Sequence, residues 1–290
     1  MAVTKNANKV SKTAQSMLMI VAILGLGLLT ACSSYQHIIE DQQFSNAVQD
    51  GVTFRHRILT NPAAQQISGP KDEPVHWHVY IEGDGRAVDA RGRPSLDPTP
   101  RTPMLLEMMR EDTAPALYLG RPCYYHTEDP ACSPVSWTLA RYSEATVASM
   151  AAALQRSIPG NNPITLIGHS GGGTLAVLLV PRLPNVIGVV TLAGNLQVGE
   201  WVHHHGYSPL SLSLDPATQP PLGACIQQVH IAGALDKEIL PRWIEAFSQA
   251  QPNARYLSLD RADHRSGWPF WWTLVNLDTT IDSMCDKVTR

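Results

Sequence analysis

The residue with the clearest chemical potential is Ser170, which lies in the sequence Gly-His-Ser-Gly-Gly between two apolar runs. The run before it, residues 164–167, is short and rich in β-branched residues. This order predicts a strand, a sharp turn and a helix, with the serine at the apex. A serine held there projects its hydroxyl, and Gly168 and Gly172 leave room for the strand and the helix to approach. The N–H of Gly171, at the positive end of the helix, is then free to bind an oxyanion.

A serine nucleophile needs a base and an acid that orients the base, and His264 and Asp236 are of the right types. Asp236 follows a predicted strand over 225–232, and His264 follows one over 254–259. Because parallel strands end at the same edge of a sheet, we expect these two side chains to meet Ser170 there. Three further acids compete with Asp236 for the orienting role, namely Asp215, Asp260 and Asp263.

A loop with two glycines, Glu82-Gly83-Asp84-Gly85, follows the predicted strand over 75–81. Its glycines let the backbone turn its N–H groups towards the serine hydroxyl. The N–H of Asp84 or Gly85 is therefore the candidate second donor to an oxyanion. A simple tight turn is the alternative interpretation, since Gly-Asp-Gly is common in turns. The loop lacks the third glycine of a dinucleotide fingerprint, and no Gly-Lys-Ser/Thr follows the later glycine run, as a phosphate loop requires.

Residues 1–31 have the pattern of a secretory signal, with basic residues first, then an apolar run and small residues. The apolar run is too short for a comfortable membrane span. The sequence Leu-Thr-Ala-Cys resembles the bacterial lipobox, which predicts a lipid on Cys32, and Ser33 favours the outer membrane facing the periplasm. An ordinary cleaved signal with an incidental cysteine is the alternative. Residues 32–51 are then a lipid-bearing N-terminus and tether, and residues 52–290 form the domain.

With serine, acid and histidine in this chain order, residues 52 to 285 resemble the α/β-hydrolase superfamily. The secreted or lipid-anchored bacterial serine esterases and lipases are the most similar branch. The resemblance implies that Ser170 is the nucleophile, that His264 is the general base, and that Asp236 orients and stabilises the imidazole. It also implies an acyl-ester substrate, either a small molecule or a lipid, and no metal or organic cofactor. Glu82 departs from the pattern, because relatives often carry histidine there.

The rest of the chain contains the elements that must position these residues. Short apolar runs bounded by proline or glycine predict strands, and the continuous valine-rich run over 186–193 is typical of a parallel strand buried on both faces. Predicted strands cover 52–59, 75–81, 116–119, 164–167, 186–193, 225–232 and 254–259, and predicted helices cover 103–110, 142–158, 174–180, 238–250 and 269–285. We therefore expect an α/β fold, with a mostly parallel sheet flanked by helices and an irregular covering segment over 195–224.

The chain has five cysteines, and an even number remains once the lipid-bearing one is set aside. An exported protein meets oxidising conditions, so these residues are candidates for disulfides. Cys123 with Cys132 is the favoured pair, because the loop between them is short and contains a proline. Cys225 with Cys285 follows only by elimination, and that pairing stays open.

Neither the charge nor the histidines indicate another class of partner. The formal net charge is −3, and no basic stripe marks a nucleic-acid surface. We expect His203 to His205 in an extended loop, where adjacent side chains cannot all face one metal ion. His76 and His78 alternate with apolar residues, so we expect satisfied polar positions on one face of a strand.

Two functions of different classes fit these observations. The first is a serine hydrolase that cleaves a carboxylic ester, or a related thioester or amide, through an acyl-enzyme. The second is a binding or scaffold lipoprotein that keeps the fold without activity, since a fold does not fix a function. The complete set of serine, acid and histidine favours the first. The acyl and leaving groups, the oligomeric state and any lid motion are not encoded in a recognisable motif.

Overall fold

The protein is described by a computed structural model covering residues 44–67, 74–125 and 127–275. The predicted signal, the lipidation of Cys32 and the envelope location rest on residues outside this part of the chain and stay predictions. The same holds for the bond between Cys225 and Cys285, because Cys285 lies outside it. Within the described residues, none of the helices has the length and hydropathy needed to cross a membrane.

Eight strands form a single sheet in the order β1-β2-β4-β3-β5-β6-β7-β8. The first two strands and the β2–β4 pair are antiparallel, and every pair from β4 through β8 is parallel. The strands are β1 Ser45–Asp50, β2 Arg55–Thr60, β3 Trp77–Ile81, β4 Ala116–Leu119, β5 Ile164–His169, β6 Val186–Leu192, β7 Gln227–Gly233 and β8 Ala254–Leu259. The predicted mostly parallel sheet is therefore confirmed.

Helices cover both faces of this sheet. They are α1 Pro62–Gln65, α2 Met104–Arg110, α3 Pro134–Trp137, α4 Glu144–Ser157, α5 Gly171–Leu179, α6 Val198–His205 and α7 Pro241–Gln249, with 3-10 turns at Val180–Arg182, Pro216–Thr218 and Trp271–Thr273. On one face, Val79 and Ile81 of β3 pack with residues of α4 and α5. On the other, Tyr80 packs with residues of α2 and with Trp271. The alternation of side chains along β3 thus serves two cores, as a central strand requires.

Three expectations about the ends of the chain are wrong in part. The tether predicted over 32–51 includes strand β1, the edge strand of the sheet, whose backbone N–H and C=O groups pair with those of β2. The first predicted strand, 52–59, begins too early, since residues 52–54 form a bend that joins β1 to β2. The helix predicted from 269 is absent up to residue 275, where a short 3-10 turn stands instead, and residues 276–285 lie outside the described part.

The covering segment over 195–224 is more regular than expected. It contains α6, whose carboxylate cap comes from Asp215, an acceptor for the N–H groups of Val198 and Gly199 at 3.1 and 2.8 Å. Because the capping residue lies 10 positions after the last residue of α6, no local sequence pattern indicates where this helix begins. The three adjacent histidines therefore lie on a helix and its end rather than in an extended loop.

Candidate active site

Ser170 occupies a strained turn between β5 and α5. Its φ of 52° and ψ of −122° are uncommon for a residue with a side chain. The turn is enforced by close packing: a Cβ at Gly172 would stand 2.0 Å from the carbonyl oxygen of Ile81. Only glycine lets the first turn of α5 approach the end of β3 so closely. The serine hydroxyl is therefore displayed at the carboxyl edge of the sheet, as the sequence predicts.

His264 lies between Ser170 and Asp236. Its Nε2 is 3.1 Å from Ser170 Oγ, and its Nδ1 is 2.8 Å from Asp236 Oδ2. A carboxylate accepts only, so Nδ1 carries the proton and Nε2 presents its lone pair to the serine hydroxyl. This tautomer is the one in which the histidine can remove the serine proton.

Asp236 is held in place by its own loop. Its Oδ1 accepts the N–H groups of Glu238 and Ile239 at 2.8 and 2.9 Å, and the residue is 3% exposed. Both oxygens are thereby used, one for the loop and one for His264. Of the competing acids, Asp215 caps α6, Asp263 accepts the N–H groups of its own turn, and Asp260 is exposed.

The structure divides the glycine-containing loop after β3 into two parts. Gly83 lies against the nucleophile, since a Cβ there would stand 3.2 Å from Ser170 Cβ. The Asp84 side chain reaches Gly171, where a Cβ would stand 2.2 Å from Asp84 Oδ1. Gly85, by contrast, is exposed, and the atoms nearest its Cβ position belong to Pro98 and Pro100. The sequence predicts the N–H of Gly85 as an alternative oxyanion donor. The atoms nearest Gly85, however, belong to the proline segment and not to the turn that carries Ser170.

Glu82 ties this loop to α2. Its Oε1 accepts the N–H groups of Leu105 and Leu106 at 2.5 and 3.3 Å. The residue before α2 is Pro103, which has no side-chain acceptor, so Glu82 serves as the cap. Burial raises the pKa of Glu82 to about 7, although these N–H bonds oppose that rise.

His169, beside the nucleophile, contacts the loop that carries the candidate base. Its Nε2 donates to the backbone oxygen of His264 at 2.9 Å, and the two rings are 5.1 Å apart. Burial lowers the pKa of His169 to about 3, and the neighbouring His264 adds to the effect. His169 is therefore neutral near pH 7 and acts as a fixed donor.

The histidines that invited a metal hypothesis have other partners. His76 Nε2 is 2.8 Å from Thr165 Oγ1, and His78 Nδ1 is 2.6 Å from Asp112 Oδ2. His205 Nε2 donates to the Glu238 carbonyl at 2.8 Å. Over the described ranges, no three His, Cys, Asp or Glu side chains are grouped so that they could hold a metal ion. His76, directly before β3, and His78, within β3, are thus satisfied polar positions, as predicted.

The loop after β4 carries the disulfide that the sequence favoured. Cys123 and Cys132 are bonded, with their Cα atoms 5.5 Å apart. The loop they close begins just after Arg121, which reaches the Asp84 carboxylate. The cross-link therefore lies next to a segment that contacts the candidate site.

The sequence matches no family model and no curated protein, but solved structures share the fold. A puromycin-hydrolyzing peptidase from Mycobacterium tuberculosis superposes with a TM-score of 0.54 at 14% identity, over 76% of this chain and 36% of that one. Alpha/beta hydrolase domain-containing protein 10 from mouse gives a TM-score of 0.52 at 14% identity, over 84% of this chain and 100% of that one. The fold is that of the α/β-hydrolases. Est1E from Butyrivibrio proteoclasticus agrees, with a TM-score of 0.50 at 11% identity, over 84% and 99% of the two chains.

Some residues of this α/β-hydrolase fold that contact the Asp84 loop or lie beside Ser170 were not found from the sequence. Arg121 follows the carboxyl end of β4, and the candidate site lies at the same edge of the sheet. That placement is the one feature of the sequence that could have indicated Arg121. Arg141 and Tyr142 precede α4 and carry no motif. His169 lies inside the serine motif, but its contact with the His264 loop depends on residues 95 positions apart.

Proposed function

We propose that this protein is a serine hydrolase that cleaves a carboxylic ester through an acyl-enzyme. The observation that carries the proposal is a single line of contacts: Ser170 Oγ to His264 Nε2 at 3.1 Å, and His264 Nδ1 to Asp236 Oδ2 at 2.8 Å. Two further features support the proposal. The strained turn exposes the serine hydroxyl as a nucleophile would require, and the start of α5 supplies an N–H that can bind an oxyanion. A neighbour of the same fold is named a puromycin-hydrolyzing peptidase, which is consistent with acyl-bond hydrolysis.

In the proposed acylation step, the Ser170 oxygen attacks the carbonyl carbon of the ester while its proton moves to His264 Nε2. The carbonyl electron pair moves onto the carbonyl oxygen. We assign the donors that stabilise this oxyanion to the N–H groups of Gly171 and Asp84. Gly85 is left out, because its neighbours are Pro98 and Pro100. Asp236 stabilises the imidazolium that forms.

The intermediate then collapses, the carbon–oxygen bond to the alcohol breaks, and His264 Nε2 returns its proton to the leaving oxygen. In the second half, water attacks the acyl carbon and gives a proton to the same nitrogen. The bond to Ser170 breaks, the proton returns to the serine oxygen, and the carboxylic acid leaves.

The test is hydrolysis of p-nitrophenyl acetate and butyrate by the purified protein, beside the variant Ser170→Ala. We expect kcat to fall by a factor on the order of 10⁴–10⁶ in the variant, since the covalent route is lost. A fluorophosphonate probe should label the wild type at Ser170, identified by peptide mass spectrometry. The matched control is Ser149→Ala, which removes a serine that also contacts a histidine but is fully buried.

Equal, weak hydrolysis in the wild type and Ser170→Ala would contradict the proposal and favour the scaffold function instead. A p-nitroanilide with the same acyl group tests the choice of bond. Faster Ser170-dependent cleavage of the anilide than of the ester would replace the ester by an amide as the substrate class.

A further inference from the structure

Next to the candidate oxyanion site lies a buried group of charges that the triad does not use, which we call the Asp84 cluster: Asp84, Arg121, Arg141 and Tyr142. Asp84 Oδ1 forms an ion pair with Arg121. Its Oδ2 lies 2.9 Å from Arg141 Nη1 and accepts the Tyr142 hydroxyl at 2.6 Å. The side chains of Asp84, Arg121 and Arg141 are 18%, 2% and 10% exposed.

The backbone of Asp84 is held as well. Its carbonyl oxygen accepts the Tyr124 hydroxyl at 3.0 Å. Residue 84 thus receives donors from the segment after β4 and from the segment before α4, at sequence separations of 37 to 58 residues. Four donors fix both the side chain and the peptide unit, which is more than a surface turn requires.

The carboxylate also touches the nucleophile turn. A Cβ at Gly171 would stand 2.2 Å from Asp84 Oδ1 and 2.5 Å from the Tyr142 hydroxyl, so the carboxylate and the hydroxyl pack directly on that glycine. An uncompensated carboxylate here would repel a negative charge forming on a bound carbonyl oxygen. Two arginines against one aspartate leave the cluster with net positive charge instead, which favours an oxyanion.

The ionisation of Asp84 is consistent with this geometry. Burial opposes its negative charge, but the charges of Arg121 and Arg141 and the Tyr142 hydroxyl outweigh burial and hold the pKa of this carboxyl below its usual range. Burial raises the pKa of Tyr142 well above its usual value, so its hydroxyl keeps the proton that it donates. The cluster is therefore a fixed arrangement near neutral pH.

We propose that the Asp84 side chain is a positioning group for the oxyanion: it fixes the loop whose N–H faces the reacting carbonyl, while Arg121 and Arg141 more than offset its negative charge. The inference rests on the proposed hydrolase function and adds a role that the triad does not include. It also explains why glycine follows the nucleophile, since any side chain at 171 would displace the carboxylate.

The test compares Asp84→Ala, Asp84→Asn and Tyr142→Phe with the wild type for kcat, KM and inhibition by phenylboronic acid. Boron accepts an electron pair from Ser170 Oγ, whose proton passes to His264, and the adduct places an oxygen where the oxyanion forms. For Asp84→Ala we expect kcat to fall about 100-fold, as when one oxyanion donor is lost. The inhibition constant should rise by a similar factor, with KM within threefold, roughly, of the wild type.

Asp84→Asn keeps one of the two oxygens that accept hydrogen bonds and places an amide NH2, which cannot accept, against a donor. Its kcat should therefore lie between those of Asp84→Ala and the wild type. Tyr142→Phe removes a single hydroxyl and should lower kcat about tenfold, which keeps the proposal testable if Asp84→Ala does not fold. The matched control is Tyr118→Phe, another fully buried tyrosine whose hydroxyl lies 2.5 Å from that of Tyr125 rather than on Asp84. It should lower the melting temperature without changing the inhibition constant.

Variants of Asp84 and Tyr142 that lose stability but keep wild-type kcat and boronate inhibition would overturn the inference and leave the hydrolase function standing. A raised KM with unchanged kcat would also overturn it, since the cluster would then bind substrate uniformly. A wild type without Ser170-dependent hydrolysis would overturn the proposed function, and this inference with it.

Discussion

Two serine–histidine pairs in this molecule have nearly the same hydrogen bonds but very different surroundings. At the carboxyl edge, Ser170 Oγ is 3.1 Å from His264 Nε2. On the buried face of α4, Ser149 Oγ is 2.9 Å from His56 Nε2, and His56 Nδ1 donates to the Gly120 carbonyl at 3.0 Å. Both histidines therefore carry the proton on Nδ1 and present Nε2 to a serine.

The surroundings separate the two pairs. Ser149 and His56 are both fully buried, and Ser149 Oγ accepts the N–H groups of Phe54 and Thr53 at 2.9 and 3.3 Å, so both of its lone pairs are engaged. A carbonyl takes the place of the carboxylate beside His56, and it offers an imidazolium less charge stabilisation than Asp236 offers beside His264. Burial lowers the pKa of His56 to about 4, which makes it a poor proton acceptor near neutral pH.

The comparison teaches that a short serine–histidine distance does not make a catalytic pair. What distinguishes Ser170 is a strained position at the sheet edge, a carboxylate behind the histidine, and the start of helix α5 directly after it. The buried pair uses the same chemistry to satisfy polar groups inside the core.

The largest expected effect comes from removing the carboxylate that only one pair has. Asp236→Asn should lower kcat by a factor on the order of 10⁴, because an amide can donate to Nδ1 and favour the wrong tautomer. The measurement is kcat for p-nitrophenyl butyrate. Asp112→Asn is the control, since the Asp112 carboxylate also contacts a histidine, with Oδ2 2.6 Å from His78 Nδ1, and accepts the Tyr80 hydroxyl. An equal loss of kcat in Asp236→Asn and Asp112→Asn would show that the carboxylate beside His264 has no special role in catalysis.

A smaller effect, on stability alone, is expected from the buried pair. Ser149→Ala leaves His56 Nε2 and the Phe54 N–H without their partner, which should lower the free energy of unfolding by about 1–3 kcal/mol. Urea unfolding followed by tryptophan fluorescence measures this. We expect kcat to stay within about twofold of the wild type; a large loss of activity with an unchanged unfolding midpoint would reverse our assignment of the two serines.

The smallest effect concerns pH. Because burial lowers the pKa of His56 to about 4, the unfolded chain takes up a proton near pH 6.5 that the folded state resists. The stabilisation is therefore complete above 6.5 and is lost as the pH falls towards 4. Between pH 6.5 and 5 the loss from this one group is up to about 2 kcal/mol.

His56→Gln should remove that share, so urea unfolding at the two pH values should show a smaller pH-dependent loss in the variant than in the wild type. The difference isolates one residue, since the other buried histidines titrate alike in both proteins. An identical pH dependence would mean that His56 is protonated as easily in the fold as in the unfolded chain.

Much of the fold followed from local patterns. Strands β4 and β8 have the predicted bounds, and the turn at Ser170 lies where the glycines placed it. The ends of the chain were harder. β1 is polar and mostly exposed, so its strand character depends on pairing with β2 rather than on burial. The start of α6 was missed because its cap comes from the later residue Asp215.

The sequence by itself determined the chemistry that is available: a serine in a glycine turn, an acid and a histidine after later strands, and a loop that can turn N–H groups towards them. These are local properties, set by residue type and spacing. Only the tertiary structure decided which acid meets His264, that Gly85 packs against prolines, and that Asp84 lies between two arginines. Those contacts join residues up to 57 positions apart in the sequence, and they are fixed by sheet order and packing, not by neighbours in the chain.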